Sequence, residues 1–210
     1  MRLLIATSNP GKASEYRSAL EPLGFEVTAL SDHPPLGEPE ETEPTFRGNA
    51  RLKADYYFEE LGVPCLADDS GLAVDALEGR PGVHSSRVAD SDPERIATVL
   101  SWIRQAESQR GSLTRSARFV CAICMRLPGR RVEVEGTVEG QIIDTPRGSQ
   151  GFGYDPIFYY PPCKKTFGEL SRSEKNRLSH RAQALRRLLA KIRPQRALSG
   201  PRESRRDGMM

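Results

Sequence analysis

The sequence predicts a mixed-sheet α/β fold, and three observations support this class. Short apolar strand-like segments alternate with amphipathic helical segments in the first half of the chain. Two long strand-like segments, at about 114–127 and 131–143, are joined by the turn Pro128-Gly129 and are expected to pair antiparallel. A chain of 210 residues is also long enough for one domain with a sizeable core, or for two small lobes.

The first elements are predicted in the order strand, turn, helix and strand. Residues 3–7 form a short apolar strand, and Ser8 or Asn9 can cap the helix that follows. Apolar residues keep to one face of this helix: Ala13, Tyr16, Leu20 and Leu23. Residues 25–30 are expected to form the next strand.

Three further helices are predicted. One begins near Thr45 and ends at Gly62, and another has Pro93 in its first turn. After a loop dense in Gly, Pro and aromatic residues, a single final helix is expected to begin near Ser173 and to end before Pro194.

The charge of the chain is unevenly distributed. Residues 194–210 contain four arginines against two acidic residues, which accounts for +2 of the net charge of +3. This segment lacks apolar periodicity, so we predict a disordered Arg-rich tail that follows a folded domain of residues 1–193. Because the remainder carries a charge near +1, it lacks the broad cationic field that nucleic acid would need as a partner.

Composition also disfavours a membrane protein and a zinc protein. No apolar run approaches the ~20 residues of a membrane span and no signal peptide is evident, so we expect a cytoplasmic protein with no membrane partner. Cys121 and Cys124 have the spacing of half a zinc site, but an odd offset on a strand directs their sulfurs to opposite faces. Buried reduced thiols are therefore expected.

Two adjacent aspartates, Asp68 and Asp69, are the most informative residues. The apolar residues 64–67 predict a buried strand that Ser70-Gly71 should end, which places both carboxylates where open α/β sheets bind ligands. Adjacent strand residues point to opposite faces, so one aspartate can hold a metal or activate water while the other anchors the turn. The alternative is an Asx-turn in which both carboxylates only cap backbone amides.

Residues 7–12, Thr-Ser-Asn-Pro-Gly-Lys, join a strand to a helix. Backbone amides and the positive end of a helix dipole suit a polyphosphate there, and Lys12 adds a cation. The segment is not a P-loop, because the upstream Gly and the spacer are absent and Ala13 replaces Ser or Thr. An ordinary helix start is the alternative.

Further candidates come from the segment before the second helix. Asn49 and Lys53 share one helix face, and Glu41 can complete a carboxylate site for Mg²⁺ with Asp69. The alternative for Glu41 is a solvated acidic loop.

A flat ligand is suggested by Gly151-Phe-Gly-Tyr-Asp-Pro-Ile-Phe158, because glycines permit close approach while an aromatic ring stacks. Its alternative is a turn whose aromatics fill the core. Hydrogen-bond donors for such a ligand are available from Lys175, His180 and Arg181. The alternative is that these residues form only a solvated helix face. A Ser179/His180/Asp155 triad is disfavoured because Ser179 and His180 would lie about 100° apart on a helix.

Taken in order, these segments closely resemble the inosine/xanthosine triphosphate pyrophosphatase family over about residues 1–192. The matching pieces are residues 6–12, Glu41-Thr42 with Thr45-Phe46, Asn49-Ala50 with Lys53-Ala54, residues 67–87, residues 151–158, Thr166-Phe167, and Glu174-Lys175-Asn176 with Ser179-His180-Arg181.

The resemblance implies an elongated mixed sheet flanked by helices, with the active-site cleft between two lobes, and a homodimer. It also implies Mg²⁺-dependent hydrolysis of ITP, dITP or XTP to the monophosphate and pyrophosphate. Asp69 is the expected catalytic residue, and Glu41 and Asp69 are the expected metal ligands. The residues expected to bind substrate are Thr7, Ser8, Asn9, Pro10, Gly11, Lys12, Lys53, Ser70, Phe152, Gly153, Tyr154, Asp155, Lys175, His180 and Arg181.

Two departures from the family pattern leave alternatives open. Gly48 stands where the family usually has Glu, which removes a reciprocal capping partner of Thr45 and suggests, as a rival, a nucleotide-binding regulator without hydrolysis. Glu43 and Gln150 stand where the family often has Gly. Two further rivals are a pyrimidine triphosphate pyrophosphatase and a nucleic-acid-binding protein that uses the tail.

Overall fold

The structure, a computed structural model, describes residues 1–34 and 36–192; the predicted tail lies outside the described residues. One seven-stranded sheet has the strand order β2-β1-β3-β4-β5-β6-β7. Its strands are β1 (Arg2–Ala6), β2 (Glu26–Ala29), β3 (Cys65–Val74), β4 (Ser116–Leu127), β5 (Arg130–Ile142), β6 (Phe158–Tyr160) and β7 (Lys165–Thr166). Strand β1 is parallel to β2 and β3, and the other neighbouring pairs are antiparallel, which confirms the mixed sheet.

Five α-helices flank the sheet in the described residues. They are α1 (Pro10–Leu20), α2 (Phe46–Leu61), α3 (Asp92–Arg110), α4 (Arg172–Leu178) and α5 (His180–Ile192). Asn9 caps α1, Thr45 caps α2 and Ser91 caps α3, each through a side-chain oxygen that accepts a backbone N–H. No helix among the described residues is long and apolar enough to cross a membrane.

Apolar side chains form three buried clusters around the sheet. At the β1 end, one cluster packs α1 and α5 on one face and another packs α2 on the opposite face. The third cluster joins α3 to the strands β4–β6 at the other end. Cys121 lies in the first cluster and Cys124 in the second, so their sulfurs point to opposite faces as predicted.

The prediction that Ser70-Gly71 ends the strand is wrong. Strand β3 continues to Val74 and pairs with β4 along its whole length. A Cβ on Gly71 would lie 2.6 Å from the carbonyl oxygen of Gly82, so glycine serves here to let another segment approach a strand rather than to end it.

The prediction of one final helix is also wrong. Ser179 has extended backbone angles, φ −63° and ψ 159°, and separates α4 from α5. Its Oγ accepts the Ala182 N–H at 3.2 Å, so Ser179 caps the start of α5. A serine in helical periodicity is easily taken for an interior residue, although it stabilises an N-terminus better.

Candidate active site

A cavity of about 340 Å³ opens between the first turn of α1, the middle of β3 and the aromatic loop before β6. Most of the predicted site residues line this cavity: Thr7, Ser8, Asn9, Lys12, Glu41, Lys53, Asp69, Ser70, Phe152, Gly153, Tyr154, Asp155, Lys175, His180 and Arg181. Pro10 and Gly11 are exposed in the first turn of α1 and do not line it. The segments predicted separately therefore meet at one site.

The turn before α1 is organised by its own side chains. Asn9 Oδ1 accepts the Lys12 N–H at 3.1 Å, and Thr7 Oγ1 accepts the Asn9 N–H at 3.2 Å. Because Asn9 and Lys12 both line the cavity, the positive end of α1 lies at the cavity wall, as an anion site requires.

Asp68 faces α1 and α5 from β3. Its Oδ2 lies 2.9 Å from Lys12 Nζ and 3.7 Å from Arg181 Nε, and its side chain is almost fully buried. Burial alone would raise the pKa of Asp68, but the charges of Lys12, Arg181 and Lys53 outweigh it, so its pKa lies well below the ordinary value. Asp68 therefore remains a carboxylate and holds two cations at the cavity.

Asp69 faces the opposite side of β3, toward α2, as alternation predicts. Its Oδ2 accepts from Asn49 Nδ2 at 3.1 Å and its Oδ1 from the Ser70 N–H at 2.9 Å. Burial is the main cause that raises the pKa of Asp69 from 3.8 to about 6, with the charge of Glu41 acting in the same sense and Lys53 opposing both. Two adjacent aspartates thus have opposite pKa shifts, which is typical of groups with different chemical roles.

Glu41 and Lys53 meet beside Asp69. Lys53 Nζ lies 2.5 Å from Glu41 Oε1, and Arg87 Nη2 lies 3.5 Å from Glu41 Oε2. Burial would lower the pKa of Lys53, but the charges of Asp69, Asp68 and Glu41 outweigh it and its pKa is raised. Lys53 is therefore a charged ammonium among three carboxylates.

The donor set of Glu41 and Asp69 fits Mg²⁺. The charge of Glu41 contributes to the raised pKa of Asp69, and among the described residues no group of three His, Cys, Asp or Glu side chains is arranged to enclose a metal. Mg²⁺ is commonly held by one or two carboxylates together with substrate phosphates, rather than by a cage built from protein alone.

The other end of the cavity is aromatic and cationic. The Phe152 side chain is 42% exposed, unusual for a phenylalanine, and Lys175 Nζ lies 4.3 Å from its ring centroid. Lys175 also forms an ion pair with buried Asp155, whose pKa is raised mainly by burial. An open ring face of this kind can accept a planar ligand by stacking.

His180 and Arg181 are both buried, in contrast to the solvated helix face that was the alternative. His180 stacks on Phe119 with ring centroids 4.9 Å apart, and its Nδ1 has no hydrogen-bond partner among the described residues. Burial lowers the pKa of His180 well below its ordinary value, so the ring is neutral at pH 7. Arg181 donates to Glu15 at 3.2 Å and to Ser70 at 3.4 Å. The Ser179 triad is not formed, because Ser179 caps α5 and does not line the cavity.

Several cavity residues were not predicted from the sequence. They are Glu38, Ser85, Ser86, Asp92, Arg95 and Phe119; Asp68 was placed at the end of the strand but was not among the expected site residues. Asp92 reads as an ordinary acidic residue in the first turn of a helix, and nothing local distinguishes Ser85 from other loop serines. Residues 67–87, which include Ser85, entered the sequence analysis only as part of the family resemblance.

Comparisons with known proteins agree on one family. The sequence profile of the Ham1 family matches residues 3–191. The dITP/XTP pyrophosphatase of Exiguobacterium sp. is 50% identical over 198 residues, which cover 92% of this chain and 98% of the relative. That of Bacillus subtilis is 46% identical over 189 residues, which cover 88% and 93%.

Solved structures give the same result. The chain superposes on a HAM1 protein from Coxiella burnetii with a TM-score of 0.85 and 38% identity, over 91% of this chain and 98% of that one. For the Staphylococcus aureus Ham1 protein the TM-score is 0.82 and the identity 37%, over 91% and 98%.

Proposed function

The chain belongs to the Ham1 family, and from that premise we propose that it hydrolyses ITP, dITP and XTP to the nucleoside monophosphate and pyrophosphate. This membership confirms the resemblance seen in the motifs. One observation carries the proposal: a polyphosphate-type turn, two carboxylates and an aromatic stacking loop line a single cavity. Removal of these triphosphates keeps deaminated purines out of DNA and RNA.

The proposed orientation of the substrate follows from the charges around the cavity. The N-terminus of α1 with Lys12, which pairs with Asp68, and the ammonium of Lys53, which lies beside Glu41, are cationic groups on the wall of the cavity, so the triphosphate is placed between them. The base is placed against Phe152, between Lys175 and the buried His180. This arrangement brings the α-phosphorus toward the carboxylates of β3.

Asp69 is the proposed general base. A water attacks the α-phosphorus, the bond from that phosphorus to the bridging oxygen breaks, and Asp69 takes the proton of the water. A pKa of about 6 leaves Asp69 ionised at neutral pH and still basic enough to accept a proton. Asn49 and Ser70 hold its two oxygens by hydrogen bonds.

Glu41 and Asp69 would hold Mg²⁺. When bound, it supplies neutralisation of phosphate charge and so favours departure of pyrophosphate. Lys53 contributes a second positive charge from the protein itself, and its ion pair with Glu41 orients that carboxylate.

Base selection is proposed to depend on donors from His180 and Arg181. Hypoxanthine and xanthine present an oxygen at position 6, whereas adenine presents an amino donor. A buried donor that faces another donor costs several kcal/mol in a desolvated site. Arg181 already donates through Nη1 to Glu15 and through Nη2 to Ser70, and its Nε lies 3.7 Å from Asp68. His180 Nδ1 has no hydrogen-bond partner among the described residues, so His180 is proposed as the main contact to the base.

A substrate panel tests the function. Purine and pyrimidine triphosphates are incubated with the enzyme, and phosphate and pyrophosphate are measured separately. Pyrophosphate released from ITP and XTP in large excess over ATP, CTP and UTP supports the proposal. Tight binding of ITP without product would favour the regulator instead, and preference for CTP or UTP would favour a pyrimidine enzyme.

Two finer proposals rest on the family resemblance and the substrate class. The active form is a homodimer, which light scattering coupled to gel filtration tests by its mass. The enzyme acts in the cytoplasm on free nucleotides rather than on nucleic acid or a membrane, which a fluorescent fusion and a binding assay with DNA test separately.

A further inference from the structure

The loop of residues 151–155, which we call the base loop, is held firmly on its α4 side. Asp155 forms an ion pair with Lys175, and its Oδ2 also accepts the Phe152 N–H at 2.9 Å. The Lys175 ammonium then lies against the Phe152 ring. These contacts belong to the site already described.

The other side of the base loop is held by α3 and the segment before it. Asp92, in the first turn of α3, accepts the Gly153 N–H through Oδ2 at 2.6 Å. Tyr154 donates its hydroxyl to the carbonyl oxygen of Ser85 at 2.8 Å. Both bonds join segments more than sixty residues apart in the chain.

Asp92 is itself fixed in orientation. Its Oδ1 accepts from Arg95 Nη1 at 2.6 Å, and Arg95 Nε donates to the carbonyl oxygen of Ala89 at 2.9 Å. The carboxylate that accepts from Gly153 is therefore paired with a cation and fixed in orientation. A hydrogen bond to an ionised acceptor is about twice as strong as one between neutral groups.

Phe152 has little other support. Its ring is exposed to the cavity and contacts two cations, Lys175 and Arg181, at 4.3 and 5.7 Å from the ring centroid. Its position therefore depends on the backbone of its neighbours, and Gly153, with φ +63°, is free to take other conformations once its N–H is released.

We propose that Asp92 is a positioning residue that holds the base loop so that Phe152 is ready to stack on the purine, and that it thereby sets affinity for the base. The inference deepens the proposed function and rests on it. Preorganisation of this kind lowers the entropic cost of binding rather than the barrier of the chemical step.

The experiment compares Asp92→Ala with Glu94→Ala. Both remove a carboxylate from the first turn of α3, but Glu94 contacts Ser91 and not the base loop. With ITP, Asp92→Ala is expected to raise KM about tenfold or more and to change kcat less than threefold, whereas Glu94→Ala leaves KM within twofold. Inorganic tripolyphosphate, which lacks a base, is expected to inhibit both variants and the wild type with the same Ki.

The proposal is overturned if folded Asp92→Ala keeps the wild-type KM, if Glu94→Ala raises it equally, or if tripolyphosphate binding weakens in parallel. Should Asp92→Ala not fold, two milder variants decide. Asp92→Asn keeps an acceptor, so its KM for ITP is expected to stay within threefold of the wild-type value. Tyr154→Phe loses the bond to Ser85 and is expected to raise KM for ITP without changing the Ki of tripolyphosphate. If Tyr154→Phe keeps the wild-type KM, or Asp92→Asn raises KM tenfold, the proposal is wrong.

Failure of the proposed function is seen separately. It shows as absence of pyrophosphate release from ITP by the wild type. Failure of this inference shows only in the KM and Ki values of the variants relative to those of the wild type.

Discussion

Asp69→Asn should make the metal-free protein more stable at neutral pH while it removes activity. Asp69 is 7% exposed, and burial is the main reason that its pKa rises from 3.8 to about 6. Because the folded state binds the proton more tightly than the unfolded state, the ionised carboxylate costs stability. That cost is absent below pH 3.8, grows between pH 3.8 and about 6, and is complete above that range.

The size of the effect follows from the shift and from the hydrogen bonds. A rise of about two units corresponds to about 3 kcal/mol of destabilisation above pH 6. An asparagine side chain at residue 69 avoids that cost. Its NH2 group must, however, face either Asn49 Nδ2 or the Ser70 N–H, which are themselves donors, and this mismatch costs about 1–2 kcal/mol. We therefore expect a net gain of about 1–2 kcal/mol at pH 8, or about 2–8 °C in Tm.

Urea unfolding in EDTA at pH 4 and pH 8 measures this, and Asp68→Asn is the matched control. Asp68 has a lowered pKa, so its carboxylate contributes stability that is present above the unfolded pKa and is lost as pH falls toward the folded value. Its loss leaves Lys12 and Arg181 without their shared partner and should cost about 3–5 kcal/mol at pH 8. The reasoning is refuted if Asp69→Asn is less stable than wild type at pH 8, or if both variants shift stability in the same direction. With Mg²⁺ and ITP, Asp69→Asn should lose about 100-fold or more in kcat.

Three other outcomes are expected. Gly48→Ala should destabilise the protein, because a Cβ there would lie 2.6 Å from the Cβ of Glu43. In a Glu43→Gly background the same change should instead stabilise the protein by up to about 1 kcal/mol, since alanine has the higher helix propensity. Additive effects in this double-mutant cycle would show that no clash exists. His180→Phe keeps the stacking on Phe119 but removes both ring nitrogens, so kcat/KM for ITP should fall about tenfold more than that for ATP; equal losses would place base reading elsewhere. Glu41→Gln should raise the Mg²⁺ concentration needed for half-maximal pyrophosphate release about tenfold or more, and an unchanged Mg²⁺ requirement would remove Glu41 from the metal site.

Much of the site could be predicted because its signals are local. Asn9 and Thr45 cap helices through hydrogen bonds that span three residues, and such bonds depend on the residue types present. The opposite directions of Asp68 and Asp69 follow from the pleat of any strand. Family motifs then identified which local segments share a cavity.

Local signals misled where tertiary contacts decide the conformation. Gly71 looked like a strand end because glycine usually marks a turn, yet it permits the close approach of Gly82 to a strand that continues. Ser179 looked like a helix interior, yet the change of direction between α4 and α5 makes it a cap.

The sequence by itself determined the mixed sheet, the family and most residues of the cavity, because periodicity, caps and motifs are carried by neighbours in the chain. Only the tertiary structure decided that Asp68 is held ionised between Lys12 and Arg181 while the pKa of Asp69 is raised toward neutral pH. It also decided that Asp92 accepts a hydrogen bond from Gly153. Burial and the charges brought together from distant segments set these properties, and neither is encoded within a few residues of the groups they act on.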